Sequence, residues 1–76
     1  MTYQIRFSPA AMRGFRAIPV EVVGYVRAAI DALADDPRPS GCEAIGENTY
    51  RIAEWGHLIE YEVYDREVII RVIFVL

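Results

Sequence analysis

The closing stretch of this chain, Val68 to Val75, is apolar at every position except Arg71. Its richness in Val and Ile makes it a β-strand. Successive side chains on a strand point to opposite faces, so apolar groups line both faces of this one. Such a strand cannot leave one side bare in water, and each face needs a cover. The rest of the chain supplies one cover.

Near the N-terminus, Tyr3, Ile5 and Phe7 alternate with Thr2, Gln4 and Arg6, the period of a half-buried strand. Ser8-Pro9 follows as an N-cap with proline in the first helical turn. A short helix over Pro9 to Ala17 should turn Met12 and Phe15 to the core, with Gly14 weakening it. Ile18-Pro19 interrupts, because a residue before proline avoids the helical region. Pro19 opens a second helix with Glu21 in its first turn, and Val22, Val23, Val26, Ala29, Ile30 and Leu33 recur at three- and four-residue spacing. The run Asp35-Asp36-Pro37-Arg38-Pro39-Ser40-Gly41 ends that helix. Three strands complete the chain, over Tyr50 to Trp55, Leu58 to Tyr64 and Val68 to Val75, with turns at Gly56 and at Asp65-Arg66. The expected fold is α+β, in the order β-α-α-β-β-β. A two-helix antiparallel hairpin lies on one face of a single sheet that ends in a three-stranded antiparallel meander.

Parity sorts the sheet. Tyr3, Ile5, Phe7, Tyr50, Ile52, Ile59, Tyr61, Val63, Val68, Ile70, Val72 and Phe74 should face the helices. The other face receives Arg6, Arg51, Ala53, Leu58, Glu60, Glu62, Ile69, Arg71, Ile73 and Val75. Leu58, Ile69, Ile73 and Val75 then form an apolar patch where a partner, or a second copy of the chain, would bind.

Composition narrows the function. The 76 residues allow one domain, spanning residues 1–76. A single cysteine, Cys42, excludes a disulfide framework, and no Cys/His grouping has metal-ligand spacing, so neither metal nor cofactor is expected. The N-terminal residues lack the features of a signal peptide, and no stretch approaches the length of a membrane-spanning helix. The expectation is a cytoplasmic protein with no membrane contact. The net charge of −3 argues against indiscriminate nucleic-acid binding, though a local basic cleft remains compatible with it.

In their order, these residues resemble the RelE/ParE toxin superfamily. The resemblance rests on the opening Tyr-Gln-Ile-Arg-Phe-Ser-Pro-Ala and the loop Asp36-Pro37-Arg38-Pro39-Ser40-Gly41. Gly46, Tyr50-Arg51-Ile52, Gly56, Tyr61-Glu62-Val63, Asp65 and the closing Val/Ile strand follow in sequence. It spans nearly the whole chain. The resemblance implies the toxin of a bacterial type II toxin–antitoxin module, associated with plasmid stabilization and held by a cognate antitoxin protein. RelE-like members are mRNA interferases that cut messenger RNA on the ribosome without a metal and so inhibit translation. In that chemistry a 2′-hydroxyl attacks the adjacent phosphate, basic groups offset the developing charge, and an acid or base moves the proton. ParE-like members inhibit DNA gyrase and lack the catalytic set.

Carried over by position, Arg51 matches the basic residue after the tyrosine of the first hairpin strand. Ala53 stands where RelE has a second lysine. Gly56-His57-Leu58 replaces Gly-Tyr-Arg, and Cys42-Glu43-Ala44-Ile45 replaces a basic run. The sequence reaches Leu76 before the family's basic and tyrosine-bearing C-terminal segment. Removing one oxyanion-type donor typically costs about 10²–10³ in rate, so these departures imply a truncated chain, a weak or degenerate nuclease, or a ParE-like toxin without RNA chemistry. The catalytic candidates are Arg51 and His57, with Arg71 and Arg6 as substrate-binding cations. Arg51 reads equally well as a cross-strand ion pair with Glu60 or Glu62, and the same ion-pair reading is preferred for Arg71, a solvated hairpin position for His57 and a packing or interface role for Trp55. Three functions remain in play: a RelE-like interferase, a ParE-like gyrase inhibitor, and a non-catalytic module for antitoxin binding or self-association.

Overall fold

A computed structural model describes residues 2–76. Strand β1 (Gln4–Phe7) leads into helices α1 (Pro9–Arg16) and α2 (Val20–Ala32). Strands β2 (Glu43–Ala44), β3 (Thr49–Glu54), β4 (His57–Tyr64) and β5 (Ile69–Val75) follow. The five strands form one sheet in the order β1-β5-β4-β3-β2. Neighbours pair antiparallel except β1 and β5, which run parallel. The α+β plan matches expectation, with one addition. Glu43–Ala44 form a short edge strand on β3 instead of remaining loop, so four strands follow the helices.

Local chemistry explains the boundaries. The Ser8 hydroxyl accepts from the Ala11 amide at 3.0 Å and caps α1, whose first turn carries Pro9. Pro19 begins α2, with Glu21 in its first turn. Trp55 and Gly56 both have positive φ, 53° and 81°, and join Glu54 to its cross-strand partner His57. Positive φ at both central residues is the signature of a type I′ hairpin turn, which suits the twist of the flanking strands.

The core lies between the helical pair and one sheet face. Ala11, Ile18, Val26, Ile30 and Leu33 from the helical side meet Ile52, Ile59, Tyr61, Val63, Ile70 and Val72. Phe15 is half-buried and packs edge-on against Phe7, with ring centroids 5.7 Å apart. Gly14 allows α1 to lie directly on β5, since a Cβ there would sit 1.9 Å from the Val75 carbonyl oxygen.

The last strand departs from strict alternation. Glu60 pairs with Phe74 but Tyr61 pairs with Val72, so Ile73 is an extra residue, a β-bulge. Beyond it the parity reverses. Val75, expected on the open face, is buried at 4% exposure, while Phe74, expected in the core, is 43% exposed. Val75 therefore leaves the partner-binding set. Ser8 pins the bulge, because its hydroxyl donates to the Ile73 carbonyl at 2.6 Å and its amide to the Val72 carbonyl at 2.9 Å. Val68 lies just outside β5, with a φ of 57° that is unusual for a β-branched residue.

Candidate functional site

The face of the sheet turned away from the helices carries ordered rows of side chains. One row runs Arg6, Arg71, Glu62, Thr49 across β1, β5, β4 and β3. The next runs Phe74, Glu60, Arg51, Glu43 from β5 to β2. Beyond it lie Leu58 and Leu76, which exchange backbone hydrogen bonds at 2.8 and 3.0 Å, with Ala53 beside Leu58. The surface thus grades from cationic near β1, through mixed charge, to an apolar end. Leu58, Phe74 and Leu76 are all exposed, and Ile69 and Ile73 are half-buried.

Arg51 lies between two carboxylates. It reaches Glu43 through Nε at 3.2 Å and Nη2 at 2.5 Å, and Glu60 through Nη1 at 3.9 Å. The hydrogen bonds to Glu43 hold the guanidinium above its ordinary pKa. An incoming phosphate must displace a carboxylate to reach it. Arg71 is less committed, with Glu62 at 3.5 Å and Arg6 as its neighbour across β1. Glu62 is shared, since the Tyr64 hydroxyl donates to it at 2.8 Å and that bond raises the tyrosine pKa. Arg6 donates to the Gln4 side chain at 3.0 Å. Two adjacent arginines with one shared carboxylate make Arg6 and Arg71 the most available cationic pair on this face.

His57 does not join them. It pairs with Glu54, on the helix-facing parity of β3 and β4, whereas Arg51 pairs with Glu60 on the open face. Its Nδ1 lies 3.1 Å from the Leu76 carbonyl oxygen. The two proposed catalytic groups therefore stand on opposite sides of the sheet. Leu58, Ile69 and Ile73 remain with the open face, and Phe74 and Leu76 extend their patch where Val75 was expected.

Sequence reasoning missed a second polar cluster, on the helix side. Arg38, in the loop after α2, donates to the Tyr50 hydroxyl at 2.8 Å and to Asp65 at 2.8 and 3.3 Å. Its guanidinium carbon lies 5.2 Å from the Tyr50 ring centroid, within cation–π range. The Tyr3 hydroxyl also donates to Asp65, at 2.6 Å. These donors hold the Asp65 carboxyl below its usual range, Arg38 first and Tyr3 second, and the bond to Asp65 raises Tyr3. Tyr61 donates to the Pro37 carbonyl at 2.7 Å, and burial pushes its pKa up. The cluster ties the loop, the residue preceding β1, strands β3 and β4, and the β4–β5 turn together. Three tyrosines at core-facing parity, each with a hydroxyl needing a partner, were the available signal. Among the described residues no group of three or more His, Cys, Asp or Glu side chains could hold a metal ion. No helix among them is long and apolar enough to cross a membrane.

No family model matches this sequence, and no curated protein matches it. Solved structures do match its fold. The intact Escherichia coli RelBE toxin–antitoxin complex superposes with a TM-score of 0.83 at 24% identity, covering 96% of this chain and 93% of that one. The RelBE2 toxin–antitoxin complex of Mycobacterium tuberculosis gives 0.84 at 18% identity, covering 99% and 96%. The archaeal RelE–RelB complex of Pyrococcus horikoshii gives 0.78 at 15%, covering 99% and 93%. At these identities the likeness shows the fold, and that fold is the one RelE toxins share.

Proposed function

We propose that this chain is the toxin of a type II toxin–antitoxin pair, acting in the RelE manner on messenger RNA at the ribosome and restrained by an antitoxin on its open sheet face. One observation carries the reading: the fold superposes along nearly the whole chain on RelE proteins solved in complex with RelB. The exposed patch of Leu58, Phe74 and Leu76 beside mixed charges supports a protein partner, since apolar surface rimmed by polar groups marks interaction sites. These neighbours do not favour the gyrase-inhibitor alternative.

The chemistry follows from the rows of the open face. Arg6 and Arg71 receive the RNA backbone as adjacent cations. Arg51 stabilises charge on the scissile phosphate once that phosphate has displaced Glu43, while the 2′-oxygen bonds to phosphorus and gives its proton to water, the P–O5′ bond breaks, and the departing 5′-oxygen takes a proton from water. His57 faces the other side of the sheet, so proton transfer does not run through it in this conformation. A nuclease with one committed cation and no adjacent acid is slow.

Controlled expression of the chain in translating bacteria, with mapping of mRNA 5′ ends, tests this. The expected result is growth arrest with new ends inside translated frames, reduced by Arg51→Ala and suppressed by the adjacent antitoxin gene product. Growth arrest with intact transcripts would refute the interferase reading.

A further inference from the structure

The helix side of the sheet holds a cleft of about 140 Å³ that the toxin reading does not use. Its walls include Ala29 and Ala32 of α2, Leu33 at the end of that helix, Pro39 of the following loop and Ile52 of β3, together with Asp36 and Glu54. Two alanines on the wall leave room where larger side chains would fill it. The volume suits one large side chain, since an apolar cavity of roughly 150 Å³ accepts benzene.

Charge marks the cleft further. Among the described residues, neither the Asp36 nor the Glu54 carboxylate takes part in an ion pair or a side-chain hydrogen bond, whereas Glu43, Glu60, Glu62 and Asp65 all have arginine partners. An aromatic pair stands next in sequence to its lining. Trp55, next to Glu54, stacks on Tyr25, one helical turn before Ala29, with centroids 4.3 Å apart and rings 25° from parallel. Both residues are 55% exposed. Trp55 takes a φ of 53° to stand there, a conformation that a bulky residue rarely adopts.

We propose that this cleft docks a basic segment of a partner protein, with one large apolar side chain in the cavity flanked by arginine or lysine. The apolar group would cover Ala29, Ala32 and Ile52. The cation would meet Asp36 and Glu54 and lie over the Tyr25–Trp55 pair, where carboxylate attraction and cation–π attraction act together. Two unpaired carboxylates repel a nucleic-acid backbone, so the charge selects a cationic protein segment. The site lies on the opposite side of the sheet from the face proposed for RNA and antitoxin, and does not depend on that assignment.

Trp55 is the chain's only tryptophan, which makes it a built-in reporter. The probe is a short, capped, alanine-rich peptide with one phenylalanine flanked by arginines, titrated against the whole chain. Trp55 emission and backbone amide shifts are followed together. The expected result is saturable binding with shifts at Ala29, Ala32, Ile52 and Glu54, and none when glutamate replaces the peptide's arginines. Ala32→Leu narrows the cleft from an exposed position and should weaken binding by roughly tenfold or more, the loss typical of a blocked interface anchor. Glu54→Gln with Asp36→Asn should remove most of its salt dependence without filling the cavity, which keeps the test decisive if Ala32→Leu fails to fold. Three results overturn the proposal: equal binding of the glutamate peptide, shifts confined to the open face, or preference of the Trp55 region for a single-stranded RNA oligonucleotide. None of them bears on mRNA cleavage.

Discussion

Replacing Gly14 by alanine should destabilise this protein, although the same change in an exposed helix is normally favourable. Alanine gains about 1 kcal/mol over glycine in a helix interior. In α1 the new Cβ would meet the Val75 carbonyl oxygen at 1.9 Å and the carbonyl carbon at 2.9 Å, where ordinary contact begins near 3.4 Å. The obstacle is backbone, so α1 and β5 must separate by about 1.5 Å because close-packed interiors offer no slack. Overpacking typically costs about 1–3 kcal/mol, and occasionally more. A backbone clash of this depth lies at or beyond the upper end, leaving a net loss of about 2 kcal/mol after the propensity gain. Stability near 0.05–0.15 kcal/mol per residue gives about 4–11 kcal/mol for 76 residues, so the loss is a substantial fraction. Thermal unfolding followed by far-UV circular dichroism should show a midpoint lower by about 8–16 °C, at about 4–8 °C per kcal/mol for a domain this size. Gly24 in α2 is the internal control, because nothing lies within 4 Å of the place its methyl group would take. Gly24→Ala should raise the midpoint by a few degrees, by about 1 kcal/mol of helix propensity. If both substitutions move the midpoint in the same direction, the close approach of α1 to β5 is wrong.

Three further outcomes follow from named contacts. Ser8→Ala removes both the α1 cap and the donor to the Ile73 carbonyl, and should cost about 2–3 kcal/mol in urea unfolding; a loss within a few tenths would show that Ser8 does not pin the bulge. The folded-state pKa of Asp65 is depressed, so its contribution is present above the ordinary carboxylate pKa and lost as pH falls through the lowered value. Asp65→Asn should therefore lower the urea midpoint at neutral pH and leave a smaller further fall on acidification below the usual carboxylate range, whereas an unchanged pH profile would count against the Arg38–Asp65–Tyr3 link. Glu43→Gln frees Arg51 from its nearest carboxylate at an exposed position, so transcript cleavage should rise with little change in unfolding midpoint, and a fall in cleavage would exclude Arg51 as the phosphate-facing group.

Much of the architecture was legible because local signals agreed with each other. The Ser8-Pro9 and Pro19 helix starts, the apolar stripe of α2 and the Gly56 turn each have a single structural outcome, and each sits where expected. Glu43–Ala44 escaped because a two-residue edge strand spans a single period of alternation and so shows no repeat. The bulge escaped for a different reason. Alternation presumes one residue for one, and Val-Ile-Phe-Val remains apolar in either phase, so hydrophobicity could not register the extra Ile73. What specifies the bulge lies 65 residues away, in the hydrogen bonds of Ser8. The candidate site was legible in type and, in part, in its pairing. Parity brought Arg6, Arg51 and Arg71 to one face with Glu60 and Glu62 as cross-strand partners, which Arg51 and Arg71 meet, but only the unexpected pairing of β2 with β3 reveals Glu43 on the other side of Arg51.

That pairing bears on the two partners proposed for the open face. Ion pairs at exposed positions contribute little to stability, so the rows of arginine and glutamate are poorly explained as supports of the fold. They make better sense as a surface whose charges can be exchanged. Under the proposed function, an RNA phosphate would compete with glutamate for arginine, and a protein segment would cover the same rows without breaking them. The bulge sets the boundary of this surface by sending Val75 inward and Phe74 outward, which moves the apolar end next to Leu58 and Leu76. A chain without the bulge would bury Phe74 under the helices and lift Val75 from beneath Gly14. Since Ser8 and Gly14 fix that crossover from α1, the helix that closes the core also decides which aromatic the open face presents.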